Sequence, residues 1–247
     1  MEAARHPDRV NVSGVVSEMF SIYGANAGVL LGSALVIFFV VGLIQGLLAA
    51  AGGLVLSLIG SIVYLVAVTL YSGMVVKLVE DVRDGRRDLT VGETISSVTP
   101  VLGALIGNGI LKAIAVAIGL VLLIVPGLIL LTIWAVTGPS IVVERRGAID
   151  AFGRSRELVR GEGFSVFAVL AVTLLIVIGI SIVIGIIGAA TGDAGAVIFG
   201  IISSVITAPI FSLVSAILFF DLGGDQAQTA APAAAAEPPP PPAAPAV

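Results

Sequence analysis

Five long stretches of this chain carry no charged residue: 19–76, 94–111, 113–143, 163–192 and 194–220. Each is apolar, and a helix of about 20 apolar residues is what crosses a bilayer. Only 11% of the residues are charged, against roughly 25% in a soluble domain, whose outside must be wetted. A soluble globular enzyme is therefore excluded. The fold class expected is all-α: a polytopic membrane protein.

The first run is long enough for two spans, split at Ala51-Gly52-Gly53, near 28–50 and 54–77. The last two runs give one span each, near 164–189 and 195–220. Between Pro100 and Val143 the chain is apolar except for Lys112, with Val125-Pro126-Gly127 at its centre. Pro followed by Gly breaks regular structure, so two helices are expected there, near 103–124 and 127–143, against the competing reading of one long span over 113–143.

Positive charge decides between six spans and five. The basic residues sit at Arg5 and Arg9, in 77–93, and in 144–162. With six spans all three groups fall on one face, together with both termini. Every Lys and Arg except Lys112 then lies on that face, as the excess of positive charge in cytoplasmic loops requires. Five spans would put the two basic loops on opposite faces. The first 18 residues are too polar for a cleavable signal peptide, so the first span is expected to act as a retained signal-anchor.

Two segments read as amphipathic helices lying in the interface. In 12–23, Val12, Val15, Val16, Met19, Phe20 and Tyr23 recur at the spacing of one helical face. In 148–160, Ala148, Ala151, Phe152, Ser155, Leu158 and Val159 form one face and Asp150, Arg154, Glu157 and Arg160 the other, with Asp150 and Arg154 spaced as an i, i+4 pair. A weaker copy lies at 91–99. Each precedes two spans, which suggests three units of short helix plus hairpin. Residues 1–9 should be a flexible N-terminus, 10–223 the membrane domain, and 224–247, almost wholly Ala and Pro, a disordered tail.

Small residues at four-residue spacing (Gly28–Gly32, Gly42–Gly46, Gly103–Gly107, Ala196–Gly200) allow close helix packing, within the monomer or at a homodimer seam. Pro139 and Pro209 should kink their spans or open a cavity beside a broken helix.

Chemistry is sparse. There is no cysteine, and the one histidine, His6, lies outside the spans. No span holds a serine with a histidine to activate it, nor two acids to share a proton. No HExxH and no phosphate-binding loop occurs. No cofactor, metal or nucleic acid is implied, and the chain reads as non-enzymatic. Gln45 and Asn108 are expected to bond between helices, and Asp193 and Asp221 to be solvated. Lys112, a third of the way into its span, either snorkels to the cytoplasmic face or pairs with a phosphate, carboxylate or carbonyl. Glu144 should form an interfacial ion pair with Arg145 or Arg146. The arginines Arg145, Arg146, Arg154, Arg156 and Arg160 either set topology or meet anionic headgroups. Together with Lys112 and Glu144 they are the candidate lipid or partner contacts.

Residues 123–170 contain Val125-Pro126-Gly127, Trp134, Pro139, Glu144, Arg154-Ser155 and Leu158-Val159-Arg160-Gly161. This pattern resembles the membrane domain associated with bacterial glycerophosphoryl diester phosphodiesterases and the stand-alone multi-pass proteins related to it. The ending Ile217-Leu218-Phe219-Phe220-Asp221-Leu222 and the opening 17–31 are similar to that family's too. The resemblance implies a multi-pass module of the bacterial inner membrane. The family's phosphodiesterase activity resides in a separate soluble domain and does not carry over. The expected role is a scaffold or partner-binding module near lipid or envelope processes. The alternative is a transport or permease subunit with 148–160 as a coupling helix.

Overall fold

A computed structural model describes residues 10–85 and 91–224. The flexible N-terminus expected over 1–9, part of the basic loop at 77–93 and the tail from 225 onward lie outside the described residues.

Among the described residues, ten α-helices follow one another: α1 (Val12–Ala25), α2 (Ala27–Ala51), α3 (Leu54–Arg83), α4 (Val91–Val98), α5 (Leu102–Leu122), α6 (Ile124–Ile133), α7 (Thr137–Val142), α8 (Asp150–Val159), α9 (Gly163–Ala190) and α10 (Gly192–Asp221). A single 3-10 turn, Thr99–Val101, joins α4 to α5. Six segments are long and apolar enough to cross a membrane: 27–48, 54–83, 92–122, 124–142, 163–190 and 198–221. The fourth comprises α6 and α7. By composition and length this is the build of a multi-pass membrane protein.

The turn between the third and fourth segments differs from expectation. It is not made by Val125-Pro126-Gly127 but by Leu123 alone, extended at φ −160° and ψ 136°. Pro126 stands in the first turn of α6, where a missing N–H has no intrahelical partner to lose. Gly127 lets α6 fold back onto α5: a Cβ there would lie 2.8 Å from the backbone nitrogen of Leu120, and one on Gly119 would lie 3.0 Å from the Gly127 Cα. The expected small-residue pairs contribute less. Only Gly42 is tightly approached, by Ile201 of α10, and Gly107 touches Ala148; a Cβ on Gly28, Gly32, Gly46, Gly103 or Gly200 would meet nothing within 4 Å.

The short helices reveal the plan. Each precedes a hairpin (α2–α3, α5–α6, α9–α10) and packs against the hairpin before it: α4 on α3, α8 on α6 and α7. The first short helix, α1, closes the cycle by packing on α10 and α9. The later member of each pair turns inward, so that α3, α7 and α10 touch one another. The three units suggested by the sequence are thus arranged in a cycle.

The core lies where the C-terminal halves of those three elements meet. Tyr71, Val75, Val76 and Val79 come from α3, Ile141 and Val142 from α7, and Leu213, Val214 and Ile217 from α10. Around the opposite end, large apolar side chains face outward, among them Leu47, Leu54, Val121 and Ile186. A water-facing surface would not tolerate a belt of this size.

The α1 face is rotated from the one read in the sequence. Val15, Met19 and Ile22 are buried, one turn apart, while Phe20 is half exposed. Its start is fixed by Asn11, whose side-chain oxygen accepts from the Ser13 N–H at 3.1 Å.

Candidate functional site

The fourth segment is broken, and the break is where distant parts of the chain converge. Pro139 has no N–H to give the carbonyl of Ala135 four residues earlier, and its ring crowds that carbonyl. The helix stops at Ile133 and restarts at Thr137. This frees backbone carbonyls inside an apolar surround, where each unpaired polar group costs at least 1–3 kcal/mol or so.

Three of the carbonyls at the break have a side-chain donor from a neighbouring helix. Ser155 Oγ of α8 donates to the Ile133 carbonyl at 2.9 Å and accepts from the Val136 N–H at 3.3 Å. Lys112 Nζ of α5 donates to the Trp134 carbonyl at 2.6 Å. Ser215 Oγ of α10 donates to the Ala135 carbonyl at 2.7 Å. The Val136 carbonyl keeps a helical donor, the Ser140 N–H at 3.2 Å, and Ser140 Oγ reaches it as well, at 2.9 Å. Three separate helices thus supply the donors that α6 and α7 cannot supply themselves. Edge-on packing of Phe152 against Trp134, centroids 4.6 Å apart, fastens α8 to the same point.

Lys112 is consequently bonded inward. It lies on the α5 face that carries the buried Leu105, Asn108, Val116 and Gly119, and its ammonium sits at the carboxyl end of α6. That end bears the negative pole of the helix dipole. Broken membrane helices expose such carbonyl ends to coupling cations in transporters; here a tethered ammonium takes the place. One turn away, Asn108 donates to the Ala148 carbonyl at 2.8 Å, in the turn that leads into α8, rather than to another helix as expected. Gln45 does reach another helix, at the Gly60 carbonyl of α3, 3.2 Å away.

Beyond α7 the chain enters a charged knot. The Glu144 side chain is only 3% exposed and takes both oxygens to Arg154, at 2.9 Å from Nε and 2.8 Å from Nη2. Arg146 adds a contact at 3.2 Å. The partner expected for Arg154 in the sequence was Asp150. Instead Arg154 turns in to Glu144, with Glu157 at 3.6 Å, because α8 presents its Ala151, Ser155 and Val159 face to the bundle and carries Arg154 to its edge. The hydrogen-bonded Glu144 carboxylate holds the Arg154 guanidinium above its ordinary range, against burial, which pulls it down. Arg145 adopts φ 55° and donates to the Ser97 carbonyl at 3.1 Å rather than pairing with Glu144. Arg156 in the last turn of α8 and Arg160 at its C-cap are exposed.

A second clasp lies at the same end. Arg83 of α3 bonds Asp221 of α10 at 2.7 Å and Glu18 of α1 at 2.8 Å, and its guanidinium lies 5.3 Å from the centre of the Phe220 ring. Asp221, expected to be solvated, is thus an ion-pair partner, and the clasp joins the first and third units. Nothing in the sequence pairs these residues. Ser155 and Ser215 were equally unmarked as donors, although the proline four residues beyond Ala135 marks the carbonyl that needs one.

A surface pocket lined by Leu30, Ser33, Met74, Val75 and Leu78 with Thr94 lies between α2, α3 and α4 and includes no residue of the break. Among the described residues no group of three His, Cys, Asp or Glu is placed to hold a metal. The chain matches no family model, no curated protein and no solved structure.

Proposed function

We propose that this protein is a non-enzymatic, six-span module of a bacterial inner membrane, both termini cytoplasmic, acting as a scaffold or partner-binding protein in lipid or envelope processes. The observation that carries this reading is how the polar groups of the broken fourth segment are used. Lys112, Ser155 and Ser215 are the groups a membrane enzyme or transporter would turn toward a substrate, and each is committed to a backbone carbonyl. The kinship suggested by the sequence motifs fits this use: Trp134, Pro139, Glu144, Arg154 and Ser155 meet at one structural joint.

Mass spectrometry of the protein drawn from native membranes in polymer discs tests the proposal. A stoichiometric protein partner is the expected result. Turnover of any phospholipid or glycerophosphodiester by the pure protein would overturn it. A C-terminal reporter active only on the extracytoplasmic side would overturn the topology.

The second reading, a permease subunit, is favoured by one observation: α8 is bonded to the break, so a force on α8 reaches the fourth span. A coupling role requires that changes at Arg154 and Arg156 weaken binding of the partner.

A further inference from the structure

The five arginines between 145 and 160 are alike in sequence and unlike in structure. Arg145 is bonded to the Ser97 carbonyl, and Arg146 and Arg154 are bonded to Glu144. Arg156 of α8 and Arg160 at its C-cap are exposed, and their side chains make no hydrogen bond or ion pair with any described residue. Arg156 lies in the last turn of α8 and Arg160 caps that turn, so both stand at the carboxyl end of the helix.

Their surroundings fix their level. α9, the fifth apolar segment, begins at Gly163, three residues after Arg160. Phe164 is 83% exposed at its start, and Ile149, 74% exposed, flanks the other end of α8. Two free guanidinium groups thus lie between two outward-facing apolar side chains, at the height where a span leaves the bilayer. A soluble acidic partner would meet the arginines and leave Phe164 and Ile149 in water. A phospholipid monolayer covers both kinds of group at once, with phosphates at the headgroup level and acyl chains beneath.

We propose that the carboxyl end of α8, formed by Arg156 and Arg160 between Ile149 and Phe164, binds the phosphate headgroups of anionic phospholipid. The site rests on the six-span reading and names the lipid class it engages. Arg154 belongs to the inner edge of the same helix, so the paired and the free arginines divide structure from recognition within ten residues.

The test is native mass spectrometry of the full chain released from discs of phosphatidylcholine containing graded phosphatidylglycerol. The parent protein retains phosphatidylglycerol selectively. Arg156→Gln with Arg160→Gln should weaken that retention about 25-fold, roughly fivefold per arginine, with unchanged thermal unfolding because neither side chain has a bond to lose. Arg156→Lys with Arg160→Lys should restore most of it. Equal retention by parent and Gln variant overturns the proposal, as does absence of any preference for phosphatidylglycerol in the parent. Displacement of the lipid by glycerol 1-phosphate at the same concentration overturns it in favour of a soluble phosphate. Loss of the lipid preference while a protein partner still copurifies separates failure of this site from failure of the scaffold reading.

Discussion

The prolines inside the fourth and sixth apolar segments, Pro139 and Pro209, act in opposite ways. α10 runs for 30 residues through Pro209 without interruption. The fourth segment divides ahead of Pro139 into α6, of 10 residues, and α7, of 6. Around Pro209 the hydroxyls serve their own helix: Thr207 bonds the Ser203 carbonyl and Ser212 that of Ala208. One outside donor reaches this stretch, Tyr23 of α1, at 3.2 Å from the Ile206 carbonyl. Around Pro139 the donors come from α5, α8 and α10 as well as α7. Each proline withholds an N–H from the carbonyl four residues before it. The open break stands where neighbouring helices supply partners for the carbonyls of Ile133, Trp134 and Ala135.

The largest expected effect tests the ionic anchor of the broken segment against its counterpart. Glu144→Ala leaves the Arg154 guanidinium, 17% exposed, without its bidentate partner, and should cost about 3 kcal/mol in detergent unfolding. Asp221→Ala at the end of α10 leaves Arg83 still held by Glu18 and should cost no more than ~1 kcal/mol. Equal costs would dissolve the distinction between the two ends.

Next in size is the hydroxyl that bridges the break. Ser155→Ala strips a partner from both the Ile133 carbonyl and the Val136 N–H, with an expected loss of ~2 kcal/mol. It should also shift the emission of Trp134, the single tryptophan of the chain. Ser203→Ala removes the 3.3 Å contact with Ser181 in the unbroken pair α9–α10 and should cost ~0.5 kcal/mol with no spectral change.

The smallest effect is a difference in sign. Pro209→Ala restores an N–H to a continuous helix and should stabilise by ~1 kcal/mol. Pro139→Ala lies in the first turn of α7, where no such bond is gained, and should destabilise by ~0.5 kcal/mol through the freer unfolded chain. Stabilisation by Pro139→Ala would mean that proline strain, rather than the foreign donors, holds the break open.

Legibility in the sequence follows the range of the interaction. The paired glycines Gly52 and Gly53, with φ of 75° and 97°, mark the first hairpin turn where the sequence places it. The Leu123 turn was misplaced by two to four residues because Pro126 serves a helix start as readily as a stop. The amphipathic face of α8 was readable, but which polar residue on its edge would turn inward was not. Arg154 and Asp150 have the right spacing for each other, and Glu144 wins only because α7 ends beside α8. Lys112 was visible as an anomaly; its carbonyl partner, 22 residues away across a tight hairpin, was not.

The sequence by itself determined the six apolar segments, the short amphipathic helices before each hairpin and the clustering of positive charge, because these follow from run length and local periodicity. The tertiary structure decided that the three units close in a ring, that the fourth segment breaks, and which arginines are committed and which are free. Those outcomes depend on donors and acceptors tens of residues apart being brought within 3 Å or so, a distance that only the packed chain sets.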